Sequence, residues 1–395
     1  MHAMGICTIK ILISYLHPDS FILQLIMDYR HYVITTRPVD LVQSDNVQDQ
    51  YWYRSDENSS AENALPYFRC GQYADMNGVV AAPSFFNPDG EDSDYPANPA
   101  PPDPATLQPR GGSLQMLTSL FEELDSQKKD LLLFMFGYNN GLVKEYDHIA
   151  NIQTNYINNP ACNFGRLLMI TWPSQCFGEY TEKLGNPGLI TNLIDKISGK
   201  NPMGKSQEQI SSDVGITGNA LSVFLLKMNN FIKARYASGN APKIHFIVQS
   251  MANHILDQTF NTLQTFNSTE QVHGLMDNLM LTSPDIRNDI FTLNSGYSNA
   301  TGLARRAFVV YSPQDPILKL ADTVHPINGA SRLGLTGPST GTLLPSNTNT
   351  IEVNQTNFKV IPADFNHRYF EYNAAVISRY AAIFQGKEDA TPVNA

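Results

Sequence analysis

The sequence predicts an α/β fold, a mostly parallel central sheet with helices on both faces, and three observations lead there. Short apolar runs recur without alternation at Leu131–Phe136, Leu167–Thr171, Ile244–Val248, Leu279–Thr282 and Phe308–Tyr311. A strand with one wet face alternates polar and apolar residues, whereas one buried on both faces does not. Segments of helical length, Leu142–Tyr156 and Ala220–Tyr236, separate these runs. The stretch from Lys243 to Leu256 (KIHFIVQSMANHIL) passes without a gap from strand, through Ser250, into helix. At 395 residues and 42% hydrophobic, the chain is long and apolar enough to bury such a core in one unit.

Taken in order, Gly5 to Met27 is apolar but broken by Lys10, His17, Pro18 and Asp19. It therefore holds no run of about 18 apolar residues that could span a membrane, and it lacks the basic leader and cleavage site of a secretory signal. Residues 1–27 read as dispensable, upstream of a start at Met27, with a signal peptide as the alternative. Residues 28–112 read as an N-terminal strand plus extension. Tyr32–Thr36 is the strand, Gln43–Tyr73 gives weak strand signals, and residues 84–112 are too rich in Pro, Asp, Asn and Gly for a regular element. Leu114, Leu117, Leu120, Phe121 and Leu124 recur at helical spacing and open a catalytic-size domain over residues 113–388. Two stretches interrupt its alternation of strand and helix. Gly178–Gly218 has the length of a lid or binding loop, and Leu335–Asn349 has the composition of a mobile insertion.

Charge and cysteine content narrow the partners. Lys and Arg number 27 against 37 Asp and Glu, a net charge of -10 that disfavours nucleic acid and anionic lipid. Cys7, Cys70, Cys162 and Cys176 lack metal-ligand spacing and read as ordinary buried thiols. His148, His245, His254 and His273 form no metal pattern. The expectation is a cytoplasmic protein with no cofactor, no nucleic-acid partner and no stable membrane insertion.

The chemistry centres on Ser250. A strand-to-helix turn with serine at its apex resembles the nucleophile elbow of α/β-hydrolases, although Val248 and Ala252 stand where small glycines are usual. A serine hydroxyl attacks only when a base takes its proton, and that base is held in one tautomer by a carboxylate. On this fold the chain order is Ser, acid, His. Asp315 follows the strand ending at Tyr311, and His367 precedes the closing helix near Asn373–Phe384. Asp285 also follows a strand and is the alternative acid.

The segments Phe136-Gly-Tyr-Asn139, Ile170-Thr-Trp-Pro-Ser174, Gln249-Ser-Met-Ala-Asn253, Ser283-Pro-Asp285, Tyr311-Ser-Pro-Gln-Asp315, Arg332-Leu-Gly334 and His367-Arg-Tyr-Phe370 resemble, in this order, the signature blocks of an uncharacterised, largely bacterial α/β-hydrolase family. That family typically shows HGYN, SWPS, HSMGN and APD blocks. The resemblance spans residues 130–384. It implies an α/β-hydrolase fold and a serine ester hydrolase acting on a small-molecule ester, with Ser250 as nucleophile, Asp315 as acid and His367 as base. By the same resemblance the oxyanion hole falls to the backbone amides of Met251 and Tyr138, and Phe136, Trp172 and Gln249 border the pocket. Phe136, Gln249 and Ala252 depart from the family's His, His and Gly. These departures motivate a rival reading as a non-catalytic binding module; acyl transfer to an alcohol or amine is a third.

Overall fold

Leu131 to Met135, Phe164 to Thr171 and Ile244 to Gln249 are buried along their whole length, as strands covered on both faces must be. The computed structural model describes residues 30–37, 39–41, 51–53, 64–65, 67–75, 80–86, 107–109, 111–137, 142–174, 207–293, 295–354, 366–387 and 393–394. In chain order the strands are β1 (Tyr32–Thr35), β2 (Val39–Leu41), β3 (Tyr51–Tyr53), β4 (Arg69–Asp75), β5 (Val80–Phe85), β6 (Asp130–Met135), β7 (Phe164–Thr171), β8 (Ile244–Gln249), β9 (Met276–Thr282), β10 (Ala304–Tyr311), β11 (Thr348–Asn354) and β12 (Val393–Asn394). The main helices are α1 (Gly111–Gln127), α2 (Leu142–Ile152), α3 (Gln207–Arg235), α4 (Ala252–Thr265), α5 (Pro316–Val324) and α6 (Ala374–Phe384).

Ten strands make one sheet in the order β12-β11-β10-β9-β8-β6-β7-β1-β4-β5, while β2 and β3 pair separately. All neighbours from β12 to β1 run parallel; β4 and β5 extend the edge in antiparallel fashion. From β6 the chain moves outward to β7, then returns to the other side of β6 at β8 and continues outward to β9 and β10. This reversal opens a crevice beyond the C-terminal ends of β6 and β8, where open α/β sheets bind their ligands. Register levels that edge. Met135 lies opposite Val248, and Thr282 lies opposite both Gln249 and Val310. The residues just past these strands, Gly137, Ser250, Ser283 and Ser312, therefore leave the sheet on the same side.

Helix packing closes both faces. Met116, Leu117, Leu120, Phe121 and Leu124 of α1 are fully buried, and each such side chain contributes about 1.5–3 kcal/mol. Leu114, expected on that stripe, is 43% exposed because it stands in the first turn, outside the contact face. Among the described residues no helix is long and apolar enough to cross a membrane.

Two stretches read as loops hold regular structure or fixed contacts in their described residues. Of the stretch read as a lid, residues 207–218 are the first turns of α3, and 178–206 lie outside the described residues. The stretch read as a mobile insertion is tied down. Ser339 N–H donates to Asn288 O at 3.0 Å, and Asn347 Nδ2 donates to the carbonyls of Thr301 and Ala304 at 2.8 and 2.9 Å. It feeds directly into β11, where Ile351 and Val353 are buried.

Candidate active site

Ser250 has a backbone φ of 56°, in the left-handed region that non-glycine residues rarely occupy. Such a conformation costs about 1–3 kcal/mol and persists only where the surroundings enforce it. They do so here through both peptide groups. The Ser250 N–H donates to Thr282 O at 2.9 Å. Its carbonyl accepts from Asn253 N–H at 3.1 Å, Asn253 Nδ2 at 2.7 Å and Asp285 N–H at 3.2 Å. Tyr297 in turn donates its hydroxyl to Asn253 Oδ1 at 2.8 Å, so a fully buried pair braces the elbow from below. Asn253 was read from the sequence only as the last residue of the Gln249–Asn253 block, without a role, and Tyr297 was not read at all.

The end of β6 presses against this turn. A Cβ added to Gly137 would stand 2.6 Å from Ser250 Cβ and 3.0 Å from Oγ, so no side chain fits. The Gly137 N–H donates to Gln249 Oε1 at 3.0 Å, which ties the segment after β6 to the residue preceding Ser250. Gln249 is thereby a buried strut. Phe136 and Trp172, expected at the pocket, are fully buried as well. Trp172 Nε1 donates to Phe136 O at 3.0 Å, and the Phe136 ring stacks on His148 with centroids 5.5 Å apart. Gln249 and Trp172 thus hold the Phe136–Gly137 backbone through hydrogen bonds, and Phe136 packs on His148.

Asp315 caps helix α5. Its Oδ1 accepts from the N–H groups of Ile317 and Leu318, both at 3.0 Å, which suits a carboxylate at a helix N-terminus followed by proline. The other oxygen, Oδ2, accepts from His367 Nδ1 at 2.8 Å, with Asp315 fully buried and His367 nearly so. Asp315 thus has one oxygen for the fold and one for the histidine. His367 is held from its own backbone, since Ser283 Oγ donates to His367 O at 3.2 Å. Its neighbour Arg368 enters a buried ion network with Glu371 and His148, and Asn151 Nδ2 adds a hydrogen bond to Glu371 at 2.9 Å. Burial would raise the Glu371 carboxyl, but the Arg368 and His148 charges and hydrogen bonds outweigh it and hold it below the usual carboxylate range.

Asp285, the alternative acid read from the sequence, has a different partner. Asp285 is ion-paired with Arg332, a buried guanidinium, and its geometry leaves it serving that cation instead of His367. Burial pulls the Arg332 guanidinium down to about 10, so it stays charged near neutrality. Met251 stands at the N-terminus of α4, and no described group accepts its N–H, as an oxyanion donor requires. Tyr138 lies outside the described residues. Cys70 and Cys162 are buried and form no disulfide, and burial pushes the Cys162 thiol up to about 12. Among the described residues no group of His, Cys, Asp and Glu is arranged to hold a metal ion.

A mostly parallel sheet with a reversal at β6 and β8, a left-handed serine at the end of β8 and a buried Asp–His pair past the same sheet edge fit an α/β-hydrolase fold. A family model described as α/β-hydrolases of unknown function (DUF900) matches residues 114–384, and the chain belongs to that family. No curated protein and no solved structure matches the chain.

Proposed function

We propose that the chain is a serine hydrolase of carboxylic esters. The observation that carries this reading is the 2.8 Å bond from His367 Nδ1 to Asp315 Oδ2, buried past the same sheet edge at which Ser250 takes a φ of 56°. With Nδ1–H fixed on the carboxylate, the neutral imidazole presents Nε2 as the basic nitrogen. His367 takes the Ser250 proton as Oγ attacks the ester carbonyl, and the resulting imidazolium is stabilised by Asp315. The Met251 amide, with Tyr138 as its partner, holds the oxyanion. His367 then protonates the leaving alcohol, and water, activated in the same way, releases the acid and restores Ser250.

What favours catalysis over a non-catalytic binding fold is strain. A left-handed serine costs about 1–3 kcal/mol, and strain of this kind clusters at active sites; a buried Asp–His pair lies past the same edge of the sheet. Turnover of short- and long-chain acyl esters by the wild type and by Ser250→Ala is the test. Turnover lost in a folded Ser250→Ala supports the proposal, and equal turnover overturns it. Added alcohols or amines that appear in the products would assign acyl transfer in place of hydrolysis.

A further inference from the structure

We infer that Asp285 and Arg332 form a positioning clamp that fixes the nucleophile elbow relative to the acid loop, an inference that rests on the proposed hydrolase reading. Three connections converge on this pair. At the elbow, the Asp285 N–H donates to Ser250 O at 3.2 Å. Across the pair, the Asp285 carboxylate binds Arg332 Nη1. On the far side, Arg332 Nη2 donates to Ala321 O at 3.0 Å and His325 O at 2.7 Å, the C-terminal carbonyls of α5, the helix that Asp315 caps. A cation at a helix C-terminus is also favoured by the helix dipole.

The backbone around Arg332 repeats the connection. Gly334 N–H donates to Pro284 O at 2.8 Å, and Gly334 O accepts from Ser312 N–H at 2.9 Å, three residues before Asp315. A Cβ on Gly334 would meet Ser283 C at 2.4 Å, so the two loops approach as closely as backbone allows. Ser283 is itself left-handed, at φ 44°, and its hydroxyl holds the His367 carbonyl. Arg332-Leu-Gly334 is therefore inserted between the loop that bonds Ser250 and the loop that carries Asp315.

A buried ion pair adds little net stability over an apolar pair of similar volume, so stability alone does not account for it. Its fixed fork geometry does supply what a triad assembled from separate strand ends requires, a set distance between them. Asp285 and Arg332 are positioning residues, acting through Ser250 and Asp315.

The test compares wild type with Asp285→Asn, Arg332→Lys and the apolar double variant Asp285→Leu/Arg332→Met, which keeps volume and is expected to fold. Two readouts are taken on folded protein: the rate of Ser250 labelling by a fluorophosphonate, and the downfield proton NMR signal of His367 Nδ1–H. Displacement on the order of 1 Å slows reaction by up to about a hundredfold. The clamp predicts slowing of that order and a shifted or lost His367 signal in all three, with the double variant no worse than the worse single one. Wild-type labelling and an unchanged signal in the folded double variant would overturn it. If wild type itself fails to label, the hydrolase reading falls, while the His367 signal still decides whether the pair sets triad geometry.

Discussion

Gly137→Ala is the sharpest perturbation the site offers, because a single methyl group is placed against Ser250. Its Cβ would lie 2.6 Å from Ser250 Cβ and 3.1 Å from Gln249 O, whereas ordinary contact begins near 3.4 Å. Either Ser250 or the end of β6 must retreat by about 0.8 Å, the difference between 2.6 and 3.4 Å. Ser250 cannot move freely, since its N–H and carbonyl are both held by hydrogen bonds. A misplacement on the order of 1 Å lowers a rate by about 10²-fold, or about 2.7 kcal/mol of barrier. Overpacking itself destabilises by about 1–3 kcal/mol. The assay is the second-order rate of ester turnover, with scanning calorimetry on the same sample and Gly239→Ala, where an added Cβ meets nothing, as the control. The expected result is a loss of about a hundredfold in Gly137→Ala with a modest fall in Tm, and neither effect in the control. Wild-type turnover in Gly137→Ala would refute the tight approach of β6 to the elbow.

Other substitutions separate the fold from the chemistry. Asp315→Asn retains a helix-capping side chain but loses the carboxylate, so turnover should fall by about 10⁴-fold with little change in Tm; parallel losses in both would mean that Asp315 is only a cap. Asn253→Ala removes the amide that donates to Ser250 O and leaves the Tyr297 hydroxyl unpaired, so unfolding free energy should drop by about 1–3 kcal/mol and turnover with it; a calorimetric trace like that of wild type would contradict the brace. Glu371 is held ionised in the fold, so its contribution is fully present above its unfolded value near 4.3 and is lost as pH falls through its lower folded value. Glu371→Gln should therefore lower Tm at neutral pH and narrow its deficit against wild type in acid, a pattern that a constant deficit would exclude. Burial lowers His245 to about 3, so the unfolded chain gains a proton that the fold refuses between about pH 6.5 and 3. Stability should drop across that window, and His245→Phe, which keeps the packing with Phe164 and Phe384, should flatten the drop; equal slopes in denaturant titrations would rule it out.

Much of the sheet was legible because strands buried on both faces must be apolar throughout. Leu131–Phe136 and Ile244–Val248 could hardly be anything else. β11 escaped notice because only Ile351 and Val353 of its seven residues carry the apolar signal, and it follows a Gly- and Ser-rich connection. The serine was legible as well, since a strand that runs straight into a helix forces a sharp turn. The choice between Asp285 and Asp315 was not. It depends on Arg332, 47 residues beyond Asp285 in the chain, and an ion pair across that separation leaves no local pattern. Gln249 was visible only as a departure from the family's histidine and a residue bordering the pocket. Its partner, the Gly137 amide, is fixed only by the register of β6 on β8.

The account depends above all on Ser250 being an activated nucleophile. Wild type, Ser250→Ala and His367→Ala would be treated with a fluorophosphonate and digested, and the modified peptide identified by mass spectrometry. The account predicts one adduct, on Ser250, in wild type, none on that peptide in Ser250→Ala, and a rate lowered by several powers of ten in His367→Ala. A folded wild type with no adduct at Ser250, or equal labelling without His367, would contradict it.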